Sequence, residues 1–213
     1  MKYKTVIWDF NGTLFDDMGV SIDAMNTVLS RRSLPLIKGL FEFQNVFGFP
    51  VRDYYSRIGL DFSKEPYEVP ADEWIELYGE KMNEAPIMRD ADTVLKRLRD
   101  MGIRQIVLSA SEKGRLIENL EHLGIISYFD EILGMDNAYA KGKAEIAKEF
   151  AARDKEGIFP AILIGDTDHD FQCAESIGCD CILYSGGFMS RSRLEKLGAP
   201  VIDSLSEIFD YLI

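Results

Sequence analysis

Short apolar runs rich in β-branched residues alternate with longer amphipathic stretches along most of the chain. The runs fall at residues 4–8, 103–108, 161–164 and 179–184, with a weaker one at 131–133. Each is too short for a helix and ends in polar or turn-forming residues, so each predicts a buried strand. Between them, residues 93–101, 112–123, 143–153 and 171–177 carry apolar side chains at helical spacing. Strands alternating with helices of this length build βαβ units. The predicted fold is α/β, a three-layer α/β/α, Rossmann-like core with a parallel sheet. The closing segment, 204–213, predicts a capped terminal helix.

One stretch breaks the alternation. Residues 17–86 contain no buried-strand run, only helical patterns at 20–32 and 72–83 and aromatic-rich helical pieces across 40–58. Pro35, Pro50, Pro66, Pro70 and Pro86 punctuate them. The expected division is a catalytic core of 1–16 and 87–213, with 17–86 inserted as a helical cap over the site.

Length and composition agree with that division, since 213 residues at 46% hydrophobic suffice for one α/β domain and an insertion. No apolar run is long enough to span a bilayer. The opening residues lack the pattern of a signal peptide, so a cytoplasmic location is expected. The cysteines, Cys173, Cys179 and Cys181, form no Cys-x-x-Cys pair and read as buried thiols in a reducing compartment. A net charge of −12 argues against a nucleic-acid partner. Small phosphates remain compatible with it, provided a divalent cation inverts the local field.

The chemistry concentrates where predicted strands end. The first strand runs into Asp9-Phe10-Asn11-Gly12-Thr13. Ligands of parallel sheets bind beyond the strands' carboxyl ends, which is where Asp9 falls. Gly12 allows a tight turn, and the amides after it, with Thr13, offer an anion cradle. A later strand runs into Gly165-Asp166-Thr167-Asp168-His169-Asp170. Carboxylates this close repel one another unless a cation neutralises them, and an oxygen-rich donor set suits Mg²⁺. The D-x-D-x-D text is not an EF-hand, which would need Gly at Phe171 and Glu at Ile177. Ser109, with the nearby Ala110 amide, follows another strand and precedes a helix, so it either holds a phosphate oxygen or, like Ser111, caps that helix. Lys143 opens a helix after Gly142 and reads either as a solvated lysine or as a counter-charge for the carboxylates; Lys141 competes for the latter role.

In this order, Asp9-Phe10-Asn11-Gly12-Thr13, Ser109, Lys143 and Gly165-Asp166 through Asp170 resemble the haloacid dehalogenase-like (HAD) superfamily. The stretch Phe47-Gly48-Phe49-Pro50-Val51-Arg52-Asp53-Tyr54-Tyr55 is similar to the helical cap of its phosphoglycolate-phosphatase-like branch. The resemblance implies a phosphatase acting on a small phosphorylated metabolite, with phosphoglycolate one candidate. Asp9 would attack phosphorus to form an aspartyl-phosphate. Asp9, the Asn11 carbonyl, Asp166 and Asp170 would hold Mg²⁺, and Ser109 and Lys143 the phosphoryl oxygens. Arg52 is the candidate substrate-selecting cation because guanidinium grips a second anionic group bidentately; the alternative is a surface arginine. The cap aromatics (Phe41, Phe43, Phe47, Phe49, Tyr54, Tyr55) read as cap core rather than a stacking platform.

The sequence departs from the resemblance at Asn11, where the family's phosphatases carry an Asp that protonates the leaving oxygen and then activates water. A neutral amide does neither, and losing a general acid–base costs ~10²–10⁴-fold in rate. Three readings follow: leaving groups that need little protonation, such as acyl or aryl phosphates; a proton from His169 or a cap carboxylate; or a long-lived phospho-enzyme in a regulatory or phosphotransfer role.

Overall fold

The computed structural model describes residues 2–135, 142–154 and 157–212. In chain order the elements are β1 (Thr5–Trp8), α1 (Met18–Arg31), α2 (Leu40–Val46), α3 (Val51–Arg57), α4 (Glu68–Lys81), α5 (Ala91–Asp100) and β2 (Arg104–Glu112). Then follow α6 (Lys113–His122), β3 (Glu131–Met135), α7 (Lys143–Arg153), β4 (Ala161–Gly165), α8 (Asp168–Ile177), β5 (Asp180–Tyr184), α9 (Arg191–Leu194) and β6 (Val201–Ile202). The six strands form one sheet in the order β3-β2-β1-β4-β5-β6, and every pairing is parallel.

Alternation along the strands fills both faces. Val6, Trp8, Ile162, Ile164 and Ile182 point into one core, shared with α5 and α6 through Leu95, Leu98 and Leu116. Ile7, Leu108, Leu163 and Leu183 point into the other, against Ala147 and Phe150 of α7 and Cys173 and Ala174 of α8. A parallel sheet covered on both faces needs such near-continuous apolar strands, and this is the three-layer core expected. Cys173 and Cys181 are buried, Cys179 is half-buried, and all three are free thiols.

β1 lies between β2 and β4, with Trp8 opposite both Val107 and Ile164. Strand order reverses there, so the residues that follow β1 and β4 meet in the crevice at the sheet's carboxyl edge. The chain leaves β1 through Phe15 and returns through Ile87, and these two residues bridge antiparallel. Asp16 N–H donates to the Pro86 carbonyl at 3.0 Å and Met88 N–H to the Leu14 carbonyl at 2.8 Å. Between those crossings lie α1–α4, with α1 packed along α4 and tied to it by Arg32–Glu73 at 2.7 Å and by Trp74 Nε1 donating to the Ser21 carbonyl.

Three expectations are corrected. The strand ending at Leu108 continues irregularly to Glu112, with a register shift against β3, so Ser109 lies inside β2 rather than before a helix. Neither Ser109 nor Ser111 caps α6; the Glu112 carboxylate does, accepting from Gly114 N–H. The terminal segment has the expected capping box at Ser204 and Glu207 but winds as a 3₁₀ turn, Leu205–Asp210, after the two-residue β6. Two residues carry no readable period, which is why that strand was invisible. Among the described residues, no helix is long and apolar enough to cross a membrane.

Candidate active site

The parallel register brings Asp9 to the carboxyl end of β1 beside Gly165, and its N–H donates to the Ile164 carbonyl at 2.8 Å. Asp166 follows β4 directly, and Asp170 lies in the first turn of α8. Oxygens of Asp9, Asp166 and Asp170 lie within 4.8 Å of one another, and all three residues are buried. Lys143, the first residue of α7, reaches in from the other side and is only 3% exposed. Its ammonium pairs with the Asp9 carboxylate and with Asp170 at 2.5 Å. Lys143 is therefore no solvated lysine; Lys141 lies outside the described residues.

Surrounding groups fix each carboxylate. Asp166 accepts from Phe188 N–H at 2.6 Å and from Thr13 Oγ at 3.1 Å. Asp170 accepts from the N–H groups of Asp166 and Thr167 at 3.1 and 3.0 Å and from Thr167 Oγ at 2.7 Å. Gly12, at φ +77°, and Gly187 press against Asp166 so closely that a Cβ on either would collide with its carboxylate. Those two glycines leave the carboxylate room that any side chain would take.

Charge in this crevice does not balance among the described residues: three buried carboxylates face one ammonium. Burial, only partly offset by Lys143, pushes Asp9 up to about 6. Asp166 is raised well above the carboxylate range by burial and by the charges of Asp9 and Asp170. For Asp170, burial is outweighed by Lys143 and the Thr167 bonds, and its carboxyl is lowered. Burial alone would lower Lys143, but the flanking carboxylates hold it firmly charged. Hard oxygen donors with an excess of negative charge fit a divalent cation.

Asn11 is fully engaged. Its Nδ2 donates to Asp17 at 2.8 Å and to the Tyr78 hydroxyl at 3.2 Å. Its Oδ1 accepts from Ser111 Oγ at 3.0 Å and Ser109 Oγ at 3.4 Å. Asp17 precedes α1 but does not cap it; its carboxylate turns back to accept from Gly12 N–H at 3.1 Å and from Tyr78 at 2.6 Å. Burial pushes Asp17 up to about 6 against those bonds.

Above this floor opens a cavity of about 610 Å³, within the size range of small-molecule sites. Asp9, Asn11, Ser109, Ala110, Lys143, Asp166 and Asp170 line its base, while Gly12 and Thr13 brace the carboxylates beneath. Its roof comes from α2–α4 and is made of Phe47, Phe49, Tyr54, Tyr55, Trp74 and Ile75. Arg52 does not line it. One helical position from Val51 and two from Tyr54, Arg52 is turned outward, its guanidinium over the rings of Phe62 and Tyr67 at 5.2 and 5.9 Å. The selecting-cation reading of Arg52 is thereby corrected. The cap aromatics divide: Phe43 is buried core, Phe41 is 81% exposed, and the other four named above face the cavity.

Asp17, Tyr78, Ser111 and Phe188 complete the site without belonging to the motifs that announced it, and Thr167 lies within the second motif but carried no assigned role. The Gly186-Gly187 pair after β5 was a readable sign of close backbone approach. Tyr78 had no such sign, because its partner lies 61 residues away.

A sheet whose switch point gathers buried carboxylates and a lysine defines an α/β enzyme with an acidic, oxygen-rich centre. The chain belongs to the haloacid dehalogenase-like hydrolase family, whose model matches residues 6–184. It is 23% identical over 206 residues to tyrosine-protein kinase PtkA of Mycobacterium tuberculosis, covering 96% of this chain and 70% of that one. It is 24% identical over 188 residues to phosphoglycolate phosphatase of Rhodobacter capsulatus, covering 86% and 84%. In structure it is similar to a haloacid dehalogenase-like hydrolase of Streptococcus pneumoniae, with TM-score 0.83, 19% identity and coverage of 100% and 99%.

Proposed function

We propose that this chain is a cytoplasmic, Mg²⁺-dependent phosphatase that works through an aspartyl-phosphate on Asp9. What carries the reading is the buried Asp9–Lys143–Asp170 arrangement, with Asp166 beside it, at the sheet's switch point. In this reading one Asp9 oxygen attacks phosphorus in line with the departing oxygen, and water later cleaves the phospho-enzyme. Lys143, held charged by its neighbours, and the Ser109 hydroxyl with the Ala110 amide bind the phosphoryl oxygens where charge builds. The Gly12 and Thr13 amides, expected to share that role, are instead taken by Asp17 and Phe15 and by Phe10. Asp9, the Asn11 backbone carbonyl and Asp166 would hold the ion, with Asp170 binding directly or through water. Mg²⁺ supplies, when bound, the charge neutralisation that one lysine cannot give three carboxylates. Residues 17–86 serve as the cap, hinged where Phe15 and Ile87 cross.

The relatives support a small phosphorylated substrate, since several are named phosphoglycolate phosphatases. A second reading, a slow phospho-enzyme that passes its phosphoryl group to an acceptor, is favoured by one observation. The Asn11 amide is neutral and saturated by Asp17, Tyr78 and two serines. One relative, moreover, is named a tyrosine-protein kinase.

The test is phosphoryl labelling by acetyl phosphate, followed by intact and peptide mass spectrometry. A single phosphoryl adduct on Asp9 is expected with Mg²⁺, and none with EDTA or in Asp9→Asn. Unlabelled wild-type protein, together with no phosphate release from any ester, defeats the proposal.

A further inference from the structure

We propose that the substrate is an aromatic phosphate monoester, whose ring packs into the apolar roof and whose phenolate departs without needing a proton from the enzyme. The inference rests on the phosphatase reading above and names the substrate class of the same site. Two independent features converge on it.

The first is the roof. Trp74 and Tyr78 stack 4.8 Å apart at 17°, and Phe47 meets Phe49 and Tyr54 at centroid distances of 5.6 and 5.2 Å. Flat apolar walls of this kind suit another ring, which they meet by stacking or edge-on. They do not suit phosphoglycolate, whose carboxylate, a second anionic group beside the phosphate, needs a counter-charge. Among the described lining residues the basic groups are Lys143, already engaged at the floor, Arg115, which is exposed, and His169, whose ring packs on Phe49 at 4.8 Å. Arg52, the other candidate, faces away.

The second feature is the missing proton. Both Asn11 amide hydrogens are taken by Asp17 and Tyr78. Asp17 in turn accepts three hydrogen bonds, so it is arranged as an acceptor and not a donor. An alkyl alcoholate is a poor leaving group without a general acid, whereas a phenolate leaves with its charge delocalised into the ring. In the first step the Asp9 oxygen–phosphorus bond forms, the phosphorus–aryl oxygen bond breaks, and the phenolate takes the bonding pair. In the second, water adds its oxygen to phosphorus, Asp9 recovers its carboxylate, and the released proton ends on the phenolate in solution. No oxidant or co-substrate is required.

The experiment compares four substrates on the wild-type chain with Mg²⁺: phenyl phosphate, 2-phenylethyl phosphate, phosphoglycolate and acetyl phosphate. Phenyl phosphate should exceed 2-phenylethyl phosphate by ~10²-fold in kcat/KM, the share a general acid would otherwise level. 2-Phenylethyl phosphate, which keeps the ring but leaves as an alkoxide, should still bind with a KM ~10-fold below that of phosphoglycolate, from ring burial. Phenol should also appear in a burst of one equivalent per enzyme if hydrolysis of the aspartyl-phosphate limits turnover. Phosphoglycolate consumed as efficiently as phenyl phosphate overturns the inference. So does 2-phenylethyl phosphate consumed as fast as phenyl phosphate, because the enzyme would then be supplying a proton. If acetyl phosphate labels Asp9 while the aryl ester shows no advantage, the aromatic substrate is wrong and the phosphatase reading stands. If acetyl phosphate leaves no label and none of the esters releases phosphate, the phosphatase reading itself fails.

Discussion

The floor and the roof of one cavity are built on opposite plans. At the floor, between the ends of β1 and β4, each carboxylate is buried and held by named donors from neighbouring elements, and Gly12 and Gly187 leave no spare volume. At the roof, rings from the α2–α4 segment hold one another by contact, and while Tyr54 and Tyr55 are buried, Phe49 and the aliphatic Ile75 stand 40% and 49% exposed. A floor wired to sheet ends has one workable arrangement, because an unpaired buried charge is costly. Apolar contacts are non-directional, so a roof made of them can change shape without disturbing the floor. On the proposed reading, chemistry belongs to the floor and choice of substrate to the roof.

The sharpest way to break this division is Asp9→Asn. Turnover should fall by ~10⁴-fold or more, to the uncatalysed level in phosphate-release assays. Stability should move the opposite way. Asp9 prefers its proton in the folded chain up to about pH 6, so its ionisation at pH 8 works against folding. In EDTA at pH 8 the variant should be more stable by ~1–3 kcal/mol in urea unfolding. A destabilised variant would mean that the Lys143 pair outweighs the burial cost.

Lys143→Met comes next. It leaves three buried carboxylates without their ammonium, so activity should drop ~10³-fold and stability by ~3–5 kcal/mol in EDTA. Mg²⁺ should recover part of that stability by supplying the lost positive charge. Equal loss with and without Mg²⁺, read from thermal melts, would show that the carboxylates do not form a cation site.

The Asn11–Asp17 contact sets the third test. Asn11→Asp alone brings a second carboxylate to a 2.8 Å contact with Asp17, and the pair can share only one charge comfortably. It should therefore cost ~1–3 kcal/mol at pH 8 and do little for alkyl phosphates. The double change Asn11→Asp with Asp17→Asn removes the conflict and should raise 2-phenylethyl phosphate turnover by ~10²-fold. Asp17→Asn alone gives the pH signature. Burial raises Asp17 from 3.8 to about 6, so the folded chain binds this proton more tightly than the unfolded chain does. The stabilisation it gives is complete below pH 3.8 and fades as pH rises to about 6, and the variant should flatten that part of the curve in EDTA.

The same contrast decides what could be read from the letters. Asp9, Lys143, Asp166 and Asp170 were legible because each lies at the end of an apolar run or the start of a helix, and a parallel sheet carries all such ends to one edge. The strands themselves were legible because both faces are buried, so their apolar runs are unbroken. Ser109 was legible as a polar residue near the edge but not as part of β2, since the irregular strand end has no period of its own. Tyr78 and Asp17 were hidden because their contact depends on how α4 docks on α1, and packing angles leave no trace in spacing. Arg52 shows the converse failure. Its neighbours in sequence, Val51 and Tyr54, do face the cavity, but a helix turns adjacent positions to different sides.

The smallest effect expected is the one that isolates the roof. Ile75 lines the cavity yet is half exposed, so Ile75→Ser should fold normally and lose only part of the apolar wall. Phe41, on a different face and 81% exposed, lies outside the lining and is its control. Ile75→Ser should raise KM for phenyl phosphate ~3–10-fold, the value of a partly buried aliphatic side chain, with kcat nearly constant. Phe41→Ser should move neither. A change that removes ground-state binding while sparing the chemical step is what separates a selecting wall from a catalytic one. If Ile75→Ser instead lowered kcat with KM fixed, the roof would be positioning the reacting phosphorus, and the boundary drawn between the two halves of the cavity would fall.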